Sequence, residues 1–264
     1  MKDAFIPFLL CLFAGLSTGI GSIIAILTKS TNRVFMSLTL GFSAGVMIYV
    51  SLAEILAKAR DALAAERGLS WGTLLSVAFF FGGIVLIALI GKLIPSFEGE
   101  ACERSIASAR SSSKGGLLRT GLFSAFAIAI HNFPEGMATF VSALKDPAVA
   151  IPVVVAIAIH NIPEGIAVAA PVYRATSSRR LAFLISFLSG LAEPVGAIVG
   201  WLILLPFMSD TVYGMIFAAS AGIMVYISAD EILPSAESNG RHSYTVLGFV
   251  LGMAVMALSL WLFI

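Results

Sequence analysis

Five residues in the middle of the chain have side chains suited to holding a metal ion. His131 and Glu135 stand four positions apart, and so do His160 and Glu164. On a helix that spacing puts both side chains on one face. The two pairs share a frame, His131-Asn132-Phe133-Pro134-Glu135-Gly136 and His160-Asn161-Ile162-Pro163-Glu164-Gly165. The fifth residue is Glu193, within Ala192-Glu193-Pro194. Imidazole nitrogen combined with carboxylate oxygen suits Zn²⁺, Fe²⁺ or Mn²⁺. A single His-x-x-x-Glu pair reads equally well as an internal ion pair. Two copies with Asn and Pro at the same offsets favour a metal site. The alternative role for Glu193 is a protonated carboxyl bonded to a freed helix carbonyl. Glu54, Asp230 and Glu231 are weaker candidates, as gate or pathway residues, because segment ends often carry solvated charge.

These residues sit in a chain of 264, of which 59% are hydrophobic and only 12% charged. Mean hydropathy is +0.99. A soluble domain carries about twice that charged share. The composition excludes an ordinary soluble enzyme, a disordered chain and, with a net charge of +1, a nucleic-acid binder. It points to an all-α integral membrane protein. A membrane-crossing helix needs about 20 apolar residues, and eight such runs can be read: 5–28, 34–57, 72–94, 118–144, 148–173, 181–205, 211–233 and 244–264. The longest connector, 95–117, holds Glu98, Glu100, Cys102, Glu103 and a run of three serines, and reads as a flexible inside loop. The whole chain, residues 1–264, reads as one membrane domain. Of the 16 basic residues, eleven fall in loops on one side and five on the other. That asymmetry places both termini outside.

The runs repeat. Ser43–Leu56, SAGVMIYVSLAEIL, matches Ser220–Leu233, SAGIMVYISADEIL, at nine of fourteen positions. A weaker echo links Gly15-Leu16…Gly21 with Gly190-Leu191…Gly196. Related runs lie five spans apart, an odd number, so the second copy is inverted in the membrane. The expected architecture is a 3+2+3 inverted repeat with spans four and five between the halves, a pattern of alternating-access transporters. The competing reading of SAGxM is generic small-residue packing, which leaves Tyr49/Tyr226, Ser51/Ser228 and Glu54/Glu231 in common register unexplained.

His131, His160 and Glu193 fall near the centres of spans four, five and six, and no Lys or Arg lies deep in any span. Each central acidic residue costs roughly 2.5–3.5 kcal/mol on the insertion scale. The compensating positive charge must therefore come from protons or a metal cation. Pro134, Pro163 and Pro194 lack an N–H. Each is expected to kink its helix, leaving the carbonyl of Ile130 or Ile159 free in spans four and five.

HNFPEG, HNIPEG and AEP on three successive spans resemble the ZIP family, the zinc/iron-regulated transporter-like permeases. Length and the short variable loop look most like its bacterial ZupT branch. The resemblance covers essentially the whole chain. It implies divalent-metal uptake toward the cytoplasm across a cell membrane, the bacterial inner membrane, by a multi-pass protein. It also implies a binuclear site between spans four, five and six. Carried over by position, His131, Asn132 and Glu135 match the span-four ligands. Asn161 and Glu164 match those of span five, with His160 beside them, and Glu193 matches that of span six. Many eukaryotic members have HExxHE on span five; here Asn161 replaces its first Glu and Glu164 its second His. The resulting oxygen-rich set fits acceptance of Fe²⁺, Mn²⁺ or Co²⁺ besides Zn²⁺.

The expected partners are metal ions, carried as substrate, and membrane lipid, with no organic cofactor and no nucleic acid. A homodimer is left open by small-x-x-x-small patterns such as Gly41…Gly45 and Gly248…Gly252. Two rival readings are a passive divalent channel on the same scaffold and an intramembrane metal-dependent hydrolase. The hydrolase needs a general base such as that of HExxH, which the chain lacks. The chain therefore reads as a transporter rather than an enzyme.

Overall fold

A computed structural model describes residues 4–27, 33–93, 114–145, 147–204, 207, 209–239 and 241–262. The ordered elements are helical: α1 (Phe5–Leu27), α2 (Arg33–Val50), α3 (Leu56–Arg67), α4 (Leu69–Leu93), α5 (Lys114–Lys145), α6 (Pro147–Thr176), α7 (Arg179–Gly190), α8 (Ala192–Val199), α9 (Asp210–Ile227), α10 (Leu233–Asn239) and α11 (His242–Leu262). Among the described residues, seven helical runs are long and apolar enough to cross a membrane. The eighth expected span is α5, 32 residues long, whose apolar stretch is diluted by Arg119, His131, Asn132 and Glu135.

Several boundaries differ from the sequence reading. The second span does not stop at residue 57. It passes through a π-helical turn, Ser51–Ile55, and continues as α3. The segment LAKARDALAAER is polar but rich in strong helix formers, and it ends at Gly68, whose φ of +80° favours glycine. Helix α5 begins at Lys114, inside the segment expected to be loop. The rest of that loop, with Glu98, Glu100, Cys102 and Glu103, lies outside the described residues. α5 and α6 run unbroken through Pro134 and Pro163. A proline removes one ladder bond, and the bonds on either side keep the helix intact. Of the three spans with a motif proline, the sixth is the one that breaks among the described residues, at Leu191, where α7 hands over to α8 three residues before Pro194.

Two groups of helices emerge from the packing. α1 packs most extensively on α6, α5 on α6 and α8, and α7 on α1 and α6. In the second group α2 packs on α11, and α4 on α9 and α3. The groups meet mainly through α2 against α6 and α9 against α5. α6 is the most enclosed span, with 78% of its apolar window buried, against 22% for α4 and α11. The outer faces of α4 and α11 therefore present residues such as Phe81, Leu89, Val250 and Leu258 to the lipid. Close helix approach uses glycine in matched places. A Cβ at Gly45 of α2 would strike the carbonyl of Phe249 on α11, and one at Gly222 of α9 would strike that of Phe80 on α4.

Candidate metal centre

The five donors fall inside the first helix group, on α5, α6 and α8. His131, Glu135, His160, Glu164 and Glu193 are each no more than 2% exposed. The histidines do not pair with the glutamate of their own helix. His131 Nε2 lies 3.1 Å from Glu164 Oε1, and His160 Nε2 lies 3.4 Å from Glu135 Oε1. The first contact is a hydrogen bond. The second is within ion-pair reach but poorly aligned, so both Glu135 oxygens and both His160 nitrogens lack a hydrogen-bond partner. Four residues from two helices thus form a reciprocal square.

Gly136 and Gly165 let these helices close up. A Cβ on Gly136 would run into the Glu193 backbone of α8, and one on Gly165 into that of Thr18 on α1. The asparagines of the two motifs tie the helices further. Asn161 Nδ2 donates to the Ala14 carbonyl of α1 at 3.0 Å and to Glu193 Oε2 at 3.0 Å. Asn132 Nδ2 donates to the Ser189 carbonyl of α7 at 3.3 Å. Asn161 thus ties Glu193 of α8 to the helix that carries His160 and Glu164. Asn132 Oδ1, Asn161 Oδ1, Glu164 Oε2 and Glu193 Oε1 are buried acceptors without a hydrogen-bond partner. Unsatisfied oxygen inside a protein is costly, and a cation is the ligand that would satisfy several oxygens at once. Among the described residues no Lys or Arg pairs with Glu135, Glu164 or Glu193. Nor do three His, Cys, Asp or Glu side chains converge on a single point; the donors are held in cross-helix pairs.

The candidate gate residues lie apart from this square. Glu54 sits in the π-helical turn and is half-buried. It forms an ion pair with Lys58 at 2.6 Å. Glu54, Lys58 and Glu135 line one narrow cavity between the two helix groups, with Thr139, Ser142 and Ser220 adding hydroxyls and Ala138, Phe217 and Met224 apolar wall. Asp230 is exposed, at the far end of α9, in a second π-helical turn, Ser228–Ile232. Glu231 shares that turn, and its side chain lies outside the described residues. Serines open both turns. Ser51 donates to the Met47 carbonyl at 2.6 Å and Ser228 to the Met224 carbonyl at 2.7 Å. The sequence reading passed over Lys58, Thr139 and Ser142. Lys58 could have been found as the i+4 neighbour of Glu54; the two hydroxyls follow Glu135 by one and two helical turns but carry no motif.

The sequence comparisons identify the family. The family model described as ZIP Zinc transporter matches residues 1–91 and 98–260. Among curated proteins, the chain is 56% identical to the zinc transporter ZupT of Streptococcus mutans serotype c, over 100% of this chain and 99% of that protein. It is 54% identical to that of Chlorobium chlorochromatii, over 97% of each. It is 53% identical to that of Lysinibacillus sphaericus, over 99% of each. With a family model matching nearly the whole chain and relatives more than half identical over their full length, the chain belongs to the ZIP family of zinc transporters.

Proposed function

We propose that this protein takes up Zn²⁺, and also Fe²⁺, Mn²⁺ or Co²⁺, into the cell through the His131–Glu164 and His160–Glu135 square. The observation that carries the reading is the set of buried carboxylate and amide oxygens around that square that lack a hydrogen-bond partner, with no Lys or Arg paired to them among the described residues. An arriving cation competes with imidazole for the carboxylates, and it offers both of them more charge than a hydrogen bond does. Glu135 and Glu164 with His131, His160, Asn132, Asn161 and Glu193 supply enough nitrogen and oxygen donors for two metal positions. Zinc comes first among the substrates because the curated relatives are named zinc transporters. The oxygen-rich donor set supports the other three metals.

The route runs from Glu54 through the cavity to Glu135, and leaves at the opposite end past Asp230 and Glu231. Rigid movement of the α1, α5, α6, α7–α8 group against the α2–α3, α4, α9–α10, α11 group would expose the square to each side in turn. A 3+2+3 inverted repeat underlies this arrangement. Support comes from matched contacts. Asn161 meets Ala14 as Asn132 meets Ser189, and Gly165 meets Thr18 as Gly136 meets Glu193. Each pair relates a residue of α1 to the one 175 positions on in α7–α8.

Zinc uptake into proteoliposomes tests the proposal. The unmodified protein should give saturable uptake, and Glu135→Gln and His160→Ala should each abolish most of it. Intact uptake in both variants would remove the square from the transport path. Flux that rises linearly with zinc concentration would instead identify a pore.

A further inference from the structure

Glu54 and Lys58 lie one helical turn apart, and their charged ends meet at 2.6 Å. Their side chains are 22% and 29% exposed. The Arg60–Asp61 pair on the same helix is far more open, at 49% and 69%. An ion pair this exposed adds little to stability. Its position is more telling, because both members line the cavity that also reaches buried Glu135. The pair is also one-sided. In the repeated segment Glu54 corresponds to Glu231, but the position of Lys58 is taken by Ser235. In sequence, the glutamate of one copy has a lysine four residues on and that of the other has a serine.

We propose that Lys58 is a tethered cation that competes with the incoming divalent metal for Glu54, and so sets the apparent affinity on that side. The inference rests on the reading of the cavity as the metal's path. With the ammonium in place, the mouth carries no net charge and a Glu54 oxygen is occupied. A metal ion must displace the ammonium before it can use that carboxylate. A divalent ion gains twice the attraction a monovalent ion does, so it displaces the lysine more readily. The arrangement lowers the apparent affinity of every cation that uses Glu54 by the same factor, so what it sets is the concentration at which metal is admitted. Lys58 touches neither His131 nor His160 in this account. It acts through Glu54, as a residue that tunes admission.

The test is a double-mutant cycle on the full chain in proteoliposomes, with zinc as the transported ion and KM and kcat measured separately. Lys58→Gln should lower KM by about two- to fivefold, the size expected for loss of one partly exposed pair, with little change in kcat. Lys58→Met should do the same, and Lys58→Arg should restore the original KM by keeping the pair. Glu54→Gln should raise KM, and adding Lys58→Gln to it should have no further effect. If Glu54→Gln raises KM but Lys58→Gln and Lys58→Met leave it unchanged, the role of Lys58 is overturned and the path stands. An equal drop in KM on removing Lys58 with or without Glu54 also overturns it, since the lysine then acts as a distant charge. If neither Glu54→Gln nor Lys58→Gln shifts KM, the cavity is not the path and both readings fall.

Discussion

Asn161 makes two hydrogen bonds that hold three helices together, to the Ala14 carbonyl and to Glu193 Oε2, whereas Asn132 makes one, longer bond to Ser189. The two residues occupy equivalent places in their motifs, yet their removal should not be equivalent. Asn161→Ala leaves Glu193 without its donor in a fully buried position, and an orphaned charged or polar group there costs about 1–3 kcal/mol. Ala14 keeps a second donor, the Ser17 hydroxyl at 2.6 Å, so the loss concentrates on Glu193. In detergent, Asn161→Ala should therefore lower the unfolding midpoint clearly more than Asn132→Ala, and it should weaken zinc binding measured on the purified protein. Equal midpoints would show that Glu193 does not depend on Asn161. The sequence alone announced these donors by type and by repetition of His-Asn-x-Pro-Glu-Gly. It also placed His131 and Glu135 on one face, and His160 and Glu164 on another. What it did not disclose is that each histidine takes the glutamate of the neighbouring helix. That exchange depends on how closely α5 and α6 approach and at what rotation, which spacing along one chain does not encode.

At the scale of the element, glycine decides how near the helices come. A Cβ at Gly136 would overlap the backbone of Glu193, while Gly82 on α4 has nothing within 4 Å of the corresponding position. Overpacking against a rigid backbone costs about 1–3 kcal/mol, and an exposed glycine replaced by alanine gains up to about 1 kcal/mol of helix propensity. Gly136→Ala should thus lower the detergent unfolding midpoint and cut uptake by separating α5 from α8, and Gly82→Ala should hold or raise the midpoint with transport retained. A harmless Gly136→Ala would mean that α8 can retreat without cost. Most spans were legible as apolar runs, and the likeness of Ser43–Leu56 to Ser220–Leu233 carried over into identical local structure, a π-helical turn opened by a bonded serine in each. Such turns gather at functional sites, and these two hold Glu54, Asp230 and Glu231. The π-turns themselves were not legible, because widening one turn by a residue leaves no trace in composition. Helix α3 escaped notice for another reason: hydropathy falls at residue 57 while helix propensity does not. The unbroken course of α5 and α6 through their prolines shows that neighbouring bonds and packing outweigh one missing N–H.

For the whole molecule, the internal contacts constrain which ends lie together. Glu66, at the end of α3, accepts hydrogen bonds from the Asp210 backbone at 3.1 Å and from the Thr211 hydroxyl, so the end of α3 and the start of α9 share one face of the molecule. At the opposite face, the Ser37 hydroxyl near the start of α2 donates to the Ala236 carbonyl of α10 at 2.9 Å. From Asp210 to Ala236 the helical run rises roughly 39 Å at about 1.5 Å per residue, so these two contacts lie on opposite sides of a bilayer core. The distribution of Lys and Arg then assigns the sides: the face with α3 should be outside and the face with α10 inside. Arg60 and Glu237 are exposed on these two faces, with side chains 49% and 52% accessible. Each can carry a reporter cysteine without disturbing the core. Cys11 is buried and serves as an internal background, and Cys102 is replaced by serine. In intact cells a membrane-impermeant maleimide should label Arg60→Cys promptly and leave Glu237→Cys unlabelled until the membrane is permeabilised. The reverse pattern would invert the protein, put Glu54 and Lys58 on the cytoplasmic side, and turn the cavity from an uptake mouth into an exit. Labelling of both sites in sealed cells would separate the two faces from the membrane plane altogether, and the assignment of α9 as a crossing helix would fall with it.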